Sequence, residues 1–297
     1  MLEKLSVGFI GLGVMGYPMA AHLSQHYKTV VYNRTIERAQ RWVSEYTGTI
    51  AITPAQVATE ADIIFCCVGN DNDLKEVTLG DVGAFSTMRS NSIFIDHTTT
   101  SAEMAREIGK LAEKKGFGFI DAPVSGGQIG AENGQLTIMC GGQPSNYARI
   151  APIMACYAKN TRLMGPIGSG QLTKMVNQIC ITGVIQGLSE GLHFAQKAGL
   201  DEEAVIDVIS KGAAQSWQME NRYKTMLTGD YNHGFAVDWM RKDLSICLKE
   251  AEQTGAALPV TALVDQFYKD VQSMGGNRWD TSSLLARLQA ISQIHKE

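Results

Sequence analysis

An apolar run, Ser6–Ile10, opens directly into Gly11-Leu12-Gly13-Val14-Met15-Gly16, and Met15–Gln25 follows with helical spacing. A G-x-G-x-x-G turn between a strand and a helix leaves few folds open. The first glycine permits the tight turn, and the second lets backbone N–H groups approach a pyrophosphate. The third lets the helix lie close to the sheet, and the helix N-terminus turns the positive end of its dipole to the anion. Glycine-rich turns are common and FAD enzymes use this one too, so the setting matters. Thr29–Tyr32 reads as a second strand, and Ile36–Tyr46 reads as a helix with Ala39, Trp42 and Val43 at helical spacing. The turn therefore lies inside a βαβ unit. That setting predicts a dinucleotide site contacted by Gly11, Leu12, Gly13, Val14, Met15 and Gly16.

The rest of the first half repeats the alternation. Ile63–Val68, Ile93–Asp96, Gly118–Asp121 and Leu136–Cys140 read as strands, with Ala102–Lys115 a helix between two of them. Apolar strands alternating with helices imply parallel strands covered on both faces, which is a doubly wound, Rossmann-type α/β domain. The pattern changes at the breaker cluster Gly165-Pro166-Ile167-Gly168-Ser169-Gly170. From Gln171 to Ala198 there is no proline and the periodicity is helical. A helix of roughly 28 residues spans about 42 Å, enough to join two domains. Gly183, Gly187 and Gly191 recur at every fourth position and predict a face open to close helix approach. Beyond it, Asp201–Lys211, Asp238–Thr254, Pro259–Met274 and Thr281–Ile294 read as helices, with Asp201 suited to an N-cap and Pro259 to a first helical position. The expected organisation is a Rossmann-type domain over 1–165, an interdomain helix over 166–198 and an all-α C-terminal domain over 199–297.

Composition narrows the function. At roughly 100–200 residues per domain, 297 residues suit two domains. The net charge is −4 and no basic stripe is visible, which argues against a nucleic-acid partner. The uncharged stretches Leu5–Ala21 and Met175–Ser189 are interrupted by glycine, proline or polar residues and fall short of the roughly 20 apolar residues a membrane span needs. No membrane partner is expected, and the default location is cytoplasmic. Cys66, Cys67, Cys140, Cys156, Cys180 and Cys247 include no C-x-x-C pair and mostly sit in apolar runs. They read as buried small hydrophobes in a reducing compartment. The histidines are scattered, so no metal site is expected.

Four further segments carry candidate chemistry. The second strand ends in Asn33-Arg34-Thr35, where an NAD enzyme usually places Asp or Glu on the ribose 2′-OH. Arg34 could pair bidentately with a 2′-phosphate and Thr35 adds a hydroxyl donor. This favours NADP(H), with NAD(H) possible but weaker; the other reading is a solvated arginine. Val68, the last residue of its run, is placed among the cofactor contacts. In Asp121-Ala122-Pro123-Val124-Ser125-Gly126-Gly127, a glycine pair after a strand offers backbone N–H groups to an anion, beside the Ser125 hydroxyl. A loop with flexible glycines explains the same residues. Lys174 lies one turn into the long helix, with Asn177 and Gln178 three and four residues on and so on its face. Either these line a polar cleft facing the cofactor, or Lys174 is a surface lysine on an amphipathic helix.

Taken in order, these pieces resemble the β-hydroxyacid dehydrogenase family, which includes 3-hydroxyisobutyrate dehydrogenase and tartronate semialdehyde reductase. The resemblance runs over nearly the whole chain: Gly11 to Gly16, Asp96-His97-Thr98-Thr99, Asp121 to Gly127, Gly168 to Gln178, and Lys242-Asp243-Leu244. It implies that Lys174 is the general acid/base and that Ser125, Gly126 and Gly127 bind the substrate carboxylate. It implies that Thr98 and Lys242 contact the cofactor, and that the chain forms a homodimer or homotetramer. The family pattern Lys-x-x-Asn-Asn is broken at its last position by Gln178. Gln keeps the amide but reaches one methylene further, which bears on the substrate accepted beside Asn177. The expected reaction is hydride transfer between NADP(H) and a small β-hydroxy acid or its semialdehyde. Alternatives are reduction of short aldehyde acids such as glyoxylate or succinic semialdehyde, and, further off, an imine reductase or a non-catalytic NADP-binding scaffold. Imine reductases usually lack a lysine at the Lys174 position.

Overall fold

A computed structural model of the chain describes residues 5–294, in two compact units, Met1–Lys174 and Met175–Glu297. Nine strands are present among the described residues of the first: β1 (Ser6–Ile10), β2 (Lys28–Tyr32), β3 (Thr49–Ile50), β4 (Ile63–Cys66), β5 (Ile93–Asp96), β6 (Gly118–Asp121), β7 (Val124–Ser125), β8 (Leu136–Gly142) and β9 (Ala158–Gly165). They form one sheet in the order β3-β2-β1-β4-β5-β6-β8-β7, with β9 also paired to β8. The stretch β3 to β6 is parallel throughout. Its order reverses between β1 and β4, the switch point at which such sheets bind ligands.

The apolar runs follow from burial on both faces. Val7 and Phe9 of β1, Ile63 and Phe65 of β4, and Ile93 and Ile95 of β5 pack in one core. The alternate residues Ile10, Ile64, Cys66 and Phe94 pack in a second core on the other face. A strand buried on both sides cannot alternate apolar with polar, which is why these segments read as continuous hydrophobic runs.

Strand β8 departs from the all-parallel expectation. It runs antiparallel to β6 and to β7, and one register carries through both pairings: Ile120↔Gly142, Asp121↔Gly141, Val124↔Ile138 and Ser125↔Thr137. The cause is the connection. Between β7 and β8 there is room for only the 6-residue helix Gly127–Glu132, and a parallel return needs a dozen or more residues. The sequence reading also passes over β3, β7 and β9 and the helices Pro54–Glu60, Asp71–Leu79 and Pro144–Met154. Strand β9 is hidden by its polar, largely exposed run Lys159-Asn160-Thr161-Arg162.

The helix Ser169–Ala198 is continuous over 30 residues, two earlier than its expected start. The close helix approach expected at Gly183, Gly187 and Gly191 is not made among the described residues: a Cβ at any of the three would meet nothing within 4 Å. The second unit is helical, with Glu202–Ile209, Trp217–Thr228, Val237–Thr254, Pro259–Ser273 and Leu284–Ile294. Asp201 caps the first of these by accepting from the Ala204 N–H, and Pro259 begins the fourth, both as the sequence suggests. Trp217–Thr228, capped by Ser216, lies in a stretch without strong helical periodicity. Thr281–Ser283 is a 3₁₀ turn rather than the first turn of an α-helix. Among the described residues, no helix is long and apolar enough to cross a membrane. Cysteines 66, 140 and 247 are buried and 67 and 156 partly so, but Cys180 is exposed, because it falls on an outer face of the long helix.

Candidate active site

The glycine turn shows which of its glycines the chain itself requires. Gly11 has φ +96°, and a Cβ there would collide with the Cys67 carbonyl. A Cβ on Gly16 would collide with the Gly11 carbonyl, so helix Gly16–Ser24 sits hard against the turn. Gly13 is different: a Cβ would meet nothing within 4 Å, so chain packing does not explain it, and close approach of a ligand does. The helix has no side-chain cap, and although the Tyr17 N–H donates to the Gly13 carbonyl at 3.0 Å, its N-terminus suits a bound anion. A dinucleotide pyrophosphate fits this cradle.

The end of β2 braces the turn. Leu12 N–H donates to Asn33 Oδ1 at 2.9 Å, and Asn33 Nδ2 donates to the Thr35 carbonyl at 2.9 Å. Asn33, expected as a cofactor contact, thus has a structural task. Thr35 is exposed and forms the N-cap of helix Ile36–Glu45. The side chain of Arg34 is 85% exposed and pairs with Asp73 at 3.0 Å. Val14 is exposed and Met15 half-buried.

The ends of β4 and β5 are linked through Thr98. Its Oγ1 accepts from the Val68 N–H at 3.0 Å, and its own N–H donates to Asp96 Oδ1 at 3.0 Å. Burial pushes the Asp96 carboxyl up to about 7, against the hydrogen bonds from Thr98. His97 belongs to the core. Its Nδ1 is 2.6 Å from the Ala122 carbonyl and its Nε2 is 2.8 Å from the Tyr157 hydroxyl. A carbonyl only accepts, so Nδ1 carries the proton and Nε2 accepts from Tyr157. Burial lowers the pKa of His97 to about 4 and keeps the ring neutral.

The start of the long helix is tied to the ends of three strands within the first unit. Asp121, at the end of β6, accepts from Gly168 N–H at 2.8 Å and Gln171 N–H at 2.9 Å, one on each carboxylate oxygen. Burial raises its pKa to about 6, while these backbone donors hold it down. At neutral pH it is an ionised cap on the positive end of a helix. Gly170 is required here, since a Cβ would sit 2.8 Å from Asp121 Oδ2. Gln171 is fully buried; its Nε2 donates to the Thr98 carbonyl at 2.7 Å and its Oε1 accepts from Thr100 N–H at 3.1 Å. One turn on, Lys174 is only 8% exposed, and its Nζ donates to the Val124 carbonyl at 2.9 Å. The next residues are Ser125, half-buried, and Gly126 and Gly127, at φ +129° and +62°. A Cβ on Gly127 would meet nothing within 4 Å. The fold therefore brings the Lys174 amine to the Ser125-Gly126-Gly127 loop, an ammonium donor beside open backbone.

In the second unit, Asn177 Nδ2 donates to Gln178 Oε1 at 2.8 Å, and buried Gln178 Nε2 donates to Asp243 Oδ2 at 2.7 Å. Lys242 pairs with the other oxygen of Asp243 at 3.0 Å and lies 6.0 Å from the centre of the Trp239 ring. Two expected site residues, Gln178 and Lys242, thus meet on one carboxylate that the sequence marks only as part of Lys242-Asp243-Leu244, and Asn177 joins them through Gln178. Asp73 escapes the sequence reading, and Asp121 and Gln171 stand in it only as members of their motifs, with no role of their own. Asp121 caps a helix 47 to 50 residues further along the chain, beyond the reach of any local capping signature.

Comparison with known proteins is consistent along the whole chain. Residues 6–165 match the model for the NAD binding domain of 6-phosphogluconate dehydrogenase. Residues 168–288 match the model described as the NAD-binding part of NADP-dependent 3-hydroxyisobutyrate dehydrogenase. An uncharacterized oxidoreductase of Shewanella frigidimarina is 61% identical over 95% of this chain and 98% of its own. The 2-hydroxy-3-oxopropionate reductase of Escherichia coli is 33% identical over 98% of this chain and 99% of its own. The solved 3-hydroxyisobutyrate dehydrogenase of Mycobacterium tuberculosis, with L-serine, matches at TM-score 0.85 and 26% identity over 96% of this chain and 99% of that one.

Proposed function

The chain belongs to the β-hydroxyacid dehydrogenase family of NAD(P)-binding oxidoreductases, and from that premise we propose that it interconverts a small β-hydroxy acid and its semialdehyde, prefers NADP(H), and uses Lys174 to move the proton. The observation that carries this reading is the buried Lys174 amine, 2.9 Å from the Val124 carbonyl and next to Ser125-Gly126-Gly127. The preference for NADP(H) is supported by Arg34 and Thr35 at the end of β2, where a carboxylate would favour NAD. The relatives named for 3-hydroxyisobutyrate and 2-hydroxy-3-oxopropionate support a small carboxylated substrate.

A bound nicotinamide would accept or supply the hydride. The chain's own residues handle the proton and the carboxylate. In oxidation, neutral Lys174 takes the hydroxyl proton of the substrate; in reduction, its ammonium form donates a proton to the carbonyl oxygen. The Val124 carbonyl accepts one of its N–H bonds and so aims the amine. The Ser125 hydroxyl and the N–H groups of Gly126 and Gly127 receive the substrate carboxylate. Asn177 and Gln178, on the same helix as Lys174, are assigned to the substrate by the family pattern, and Lys242 to the cofactor by the same pattern.

The test is steady-state kinetics on a panel of small hydroxy acids and semialdehydes with both cofactors, alongside NADPH titration. Lys174→Ala should lower kcat by about 10²–10⁴-fold with little change in NADPH affinity. Lys174→Arg should fail as well, since guanidinium stays protonated. The rise of wild-type oxidation rate with pH should disappear in Lys174→Ala. Retention of more than about a tenth of kcat by Lys174→Ala would place the proton elsewhere.

A further inference from the structure

The end of β2 carries no carboxylate, but the fold supplies one from another segment. Asp73 lies in the first turn of helix Asp71–Leu79, which follows β4, and its Oδ1 is 3.0 Å from Arg34 Nη1, across 39 positions of sequence. The carboxylate is fixed. Asn70 Oδ1 accepts from the Asp73 N–H at 3.0 Å, and Asn70 Nδ2 donates to Asp73 Oδ2 at 3.1 Å. The side chain of Asp73 is 26% exposed against 85% for Arg34, so the arginine is the partner that can move.

We infer that Asp73 is a second determinant of cofactor choice, opposing Arg34: it holds the guanidinium in an ion pair and repels a phosphate placed against that guanidinium, so it lowers the preference for NADP(H) that Arg34 creates. The inference rests on the proposed role of Arg34 in receiving the 2′-phosphate. A guanidinium has a fork of donors that can serve two anions, but the anions are then separated only by its width. Between two unit charges a few ångström apart in water, the interaction amounts to a factor of a few in binding. A phosphate monoester carries nearly two charges. The opposite effect, in which Asp73 organises Arg34 for the phosphate, is the weaker one, because exposed ion pairs restrain their partners little. Because Asn70 holds both the backbone and the carboxylate of Asp73, the acid cannot swing away when phosphate arrives. A cofactor with a bare 2′-OH meets no such charge.

The experiment is direct titration of NADPH and NADH into the wild type, Asp73→Asn and Arg34→Ala at low salt, with thermal melts to confirm folding. Asn at position 73 keeps an oxygen for the Asn70 amide and leaves the backbone cap intact. Asp73→Asn should bind NADPH about three- to tenfold more tightly than the wild type and NADH within twofold. The gain should shrink as ionic strength rises past about 0.1 M, where the Debye length is about 10 Å. Arg34→Ala should bind NADPH more weakly and leave NADH unchanged. If Arg34→Ala loses NADPH affinity while Asp73→Asn shows no gain, or a loss, the role of Asp73 is overturned and the Arg34 reading stands. If Arg34→Ala leaves the ratio of NADPH to NADH affinity unchanged, the Arg34 reading falls and the role of Asp73 falls with it.

Discussion

The two units partner their buried carboxylate and amide side chains in different ways, while hydroxyls in both bond to nearby carbonyls, as Thr78 and Thr182 do. In the first unit, the carboxylates and amides bond to backbone. Asn33 takes the Leu12 N–H, Asp96 the Thr98 N–H, Asp121 the Gly168 and Gln171 N–H groups, and Gln171 bonds to both Thr98 and Thr100 main chain. In the second, they bond to one another. Arg241 grips Asp265 with two bonds of 2.9 and 3.0 Å and Gln272 with a third of 2.7 Å, while Gln178 and Lys242 share Asp243. The difference follows from the elements. A parallel sheet stops at strand ends, where backbone groups lose their ladder partners and must be satisfied by something else. Helices satisfy their own backbone except at the termini, so buried polar side chains between them find each other. Asp280 fits the same logic: it lies at a non-helical connection of the second unit and accepts from the Phe235 and Ser282 N–H groups. Where side chains hold loops, a substitution moves loops. Where side chains hold each other, a substitution loosens packing.

The largest effect that follows belongs to the first unit. Asp121→Ala removes both acceptors from the start of the helix that carries Lys174. A displacement of about 1 Å at a reacting group can cost about 10²-fold in rate, so kcat should fall by about that factor with NADPH affinity nearly unchanged. Equal loss of stability with kcat intact would erase the contrast between the units. The next effect is in the second unit. Asp265→Ala leaves Arg241 without its two-pronged partner, and the pair is largely but not fully buried. Urea unfolding should show a loss of about 2 kcal/mol with kcat within twofold. A tenfold drop in kcat would show that the second unit also positions chemistry through this pair.

The remaining effect is a pH slope. Asp96 has a folded pKa of about 7, raised by burial from 3.8, so between those values the native state holds a proton the unfolded state has lost. Its contribution to stability is present at low pH and is lost as pH rises through about 7. Asp96→Asn cannot titrate. Relative to the wild type, its Tm should therefore climb from about pH 4 to pH 7 and stay level above. His97 titrates the same way in both proteins and cancels from the difference. Parallel Tm curves for the two proteins would mean that Asp96 is not carrying this proton.

Much of the site was legible because it is written in local chain chemistry. Within the turn itself, Gly11 needs glycine for its φ of +96° and Gly16 because a Cβ would strike the Gly11 carbonyl. The periodicity of the long helix needs only its own residues, and its observed span of Ser169–Ala198 differs from the expected one only at the start. The apolar runs of β1, β4 and β5 announced strands covered on both faces, since an uncovered strand would alternate. The direction of β8 was not legible, because Leu136–Cys140 has the same composition whether it runs up or down; the length of the connection before it decided the matter.

The sequence by itself determined the apolar strands, the long helix, the dinucleotide turn and the motifs of the family, because each depends on residues within a turn or two of one another. Only the tertiary structure decided what the polar residues of those motifs do. His97 and Thr98 are neighbours in one motif, yet the first is sealed in the core against Ala122 and Tyr157 while the second joins Val68 to the long helix through Gln171. Arg34 reads as an unopposed cation until the chain folds Asp73 beside it. A side chain's charge and shape are fixed by its residue type, but its partners lie dozens of residues away, and the free energy of a buried or paired group depends on the partners it meets.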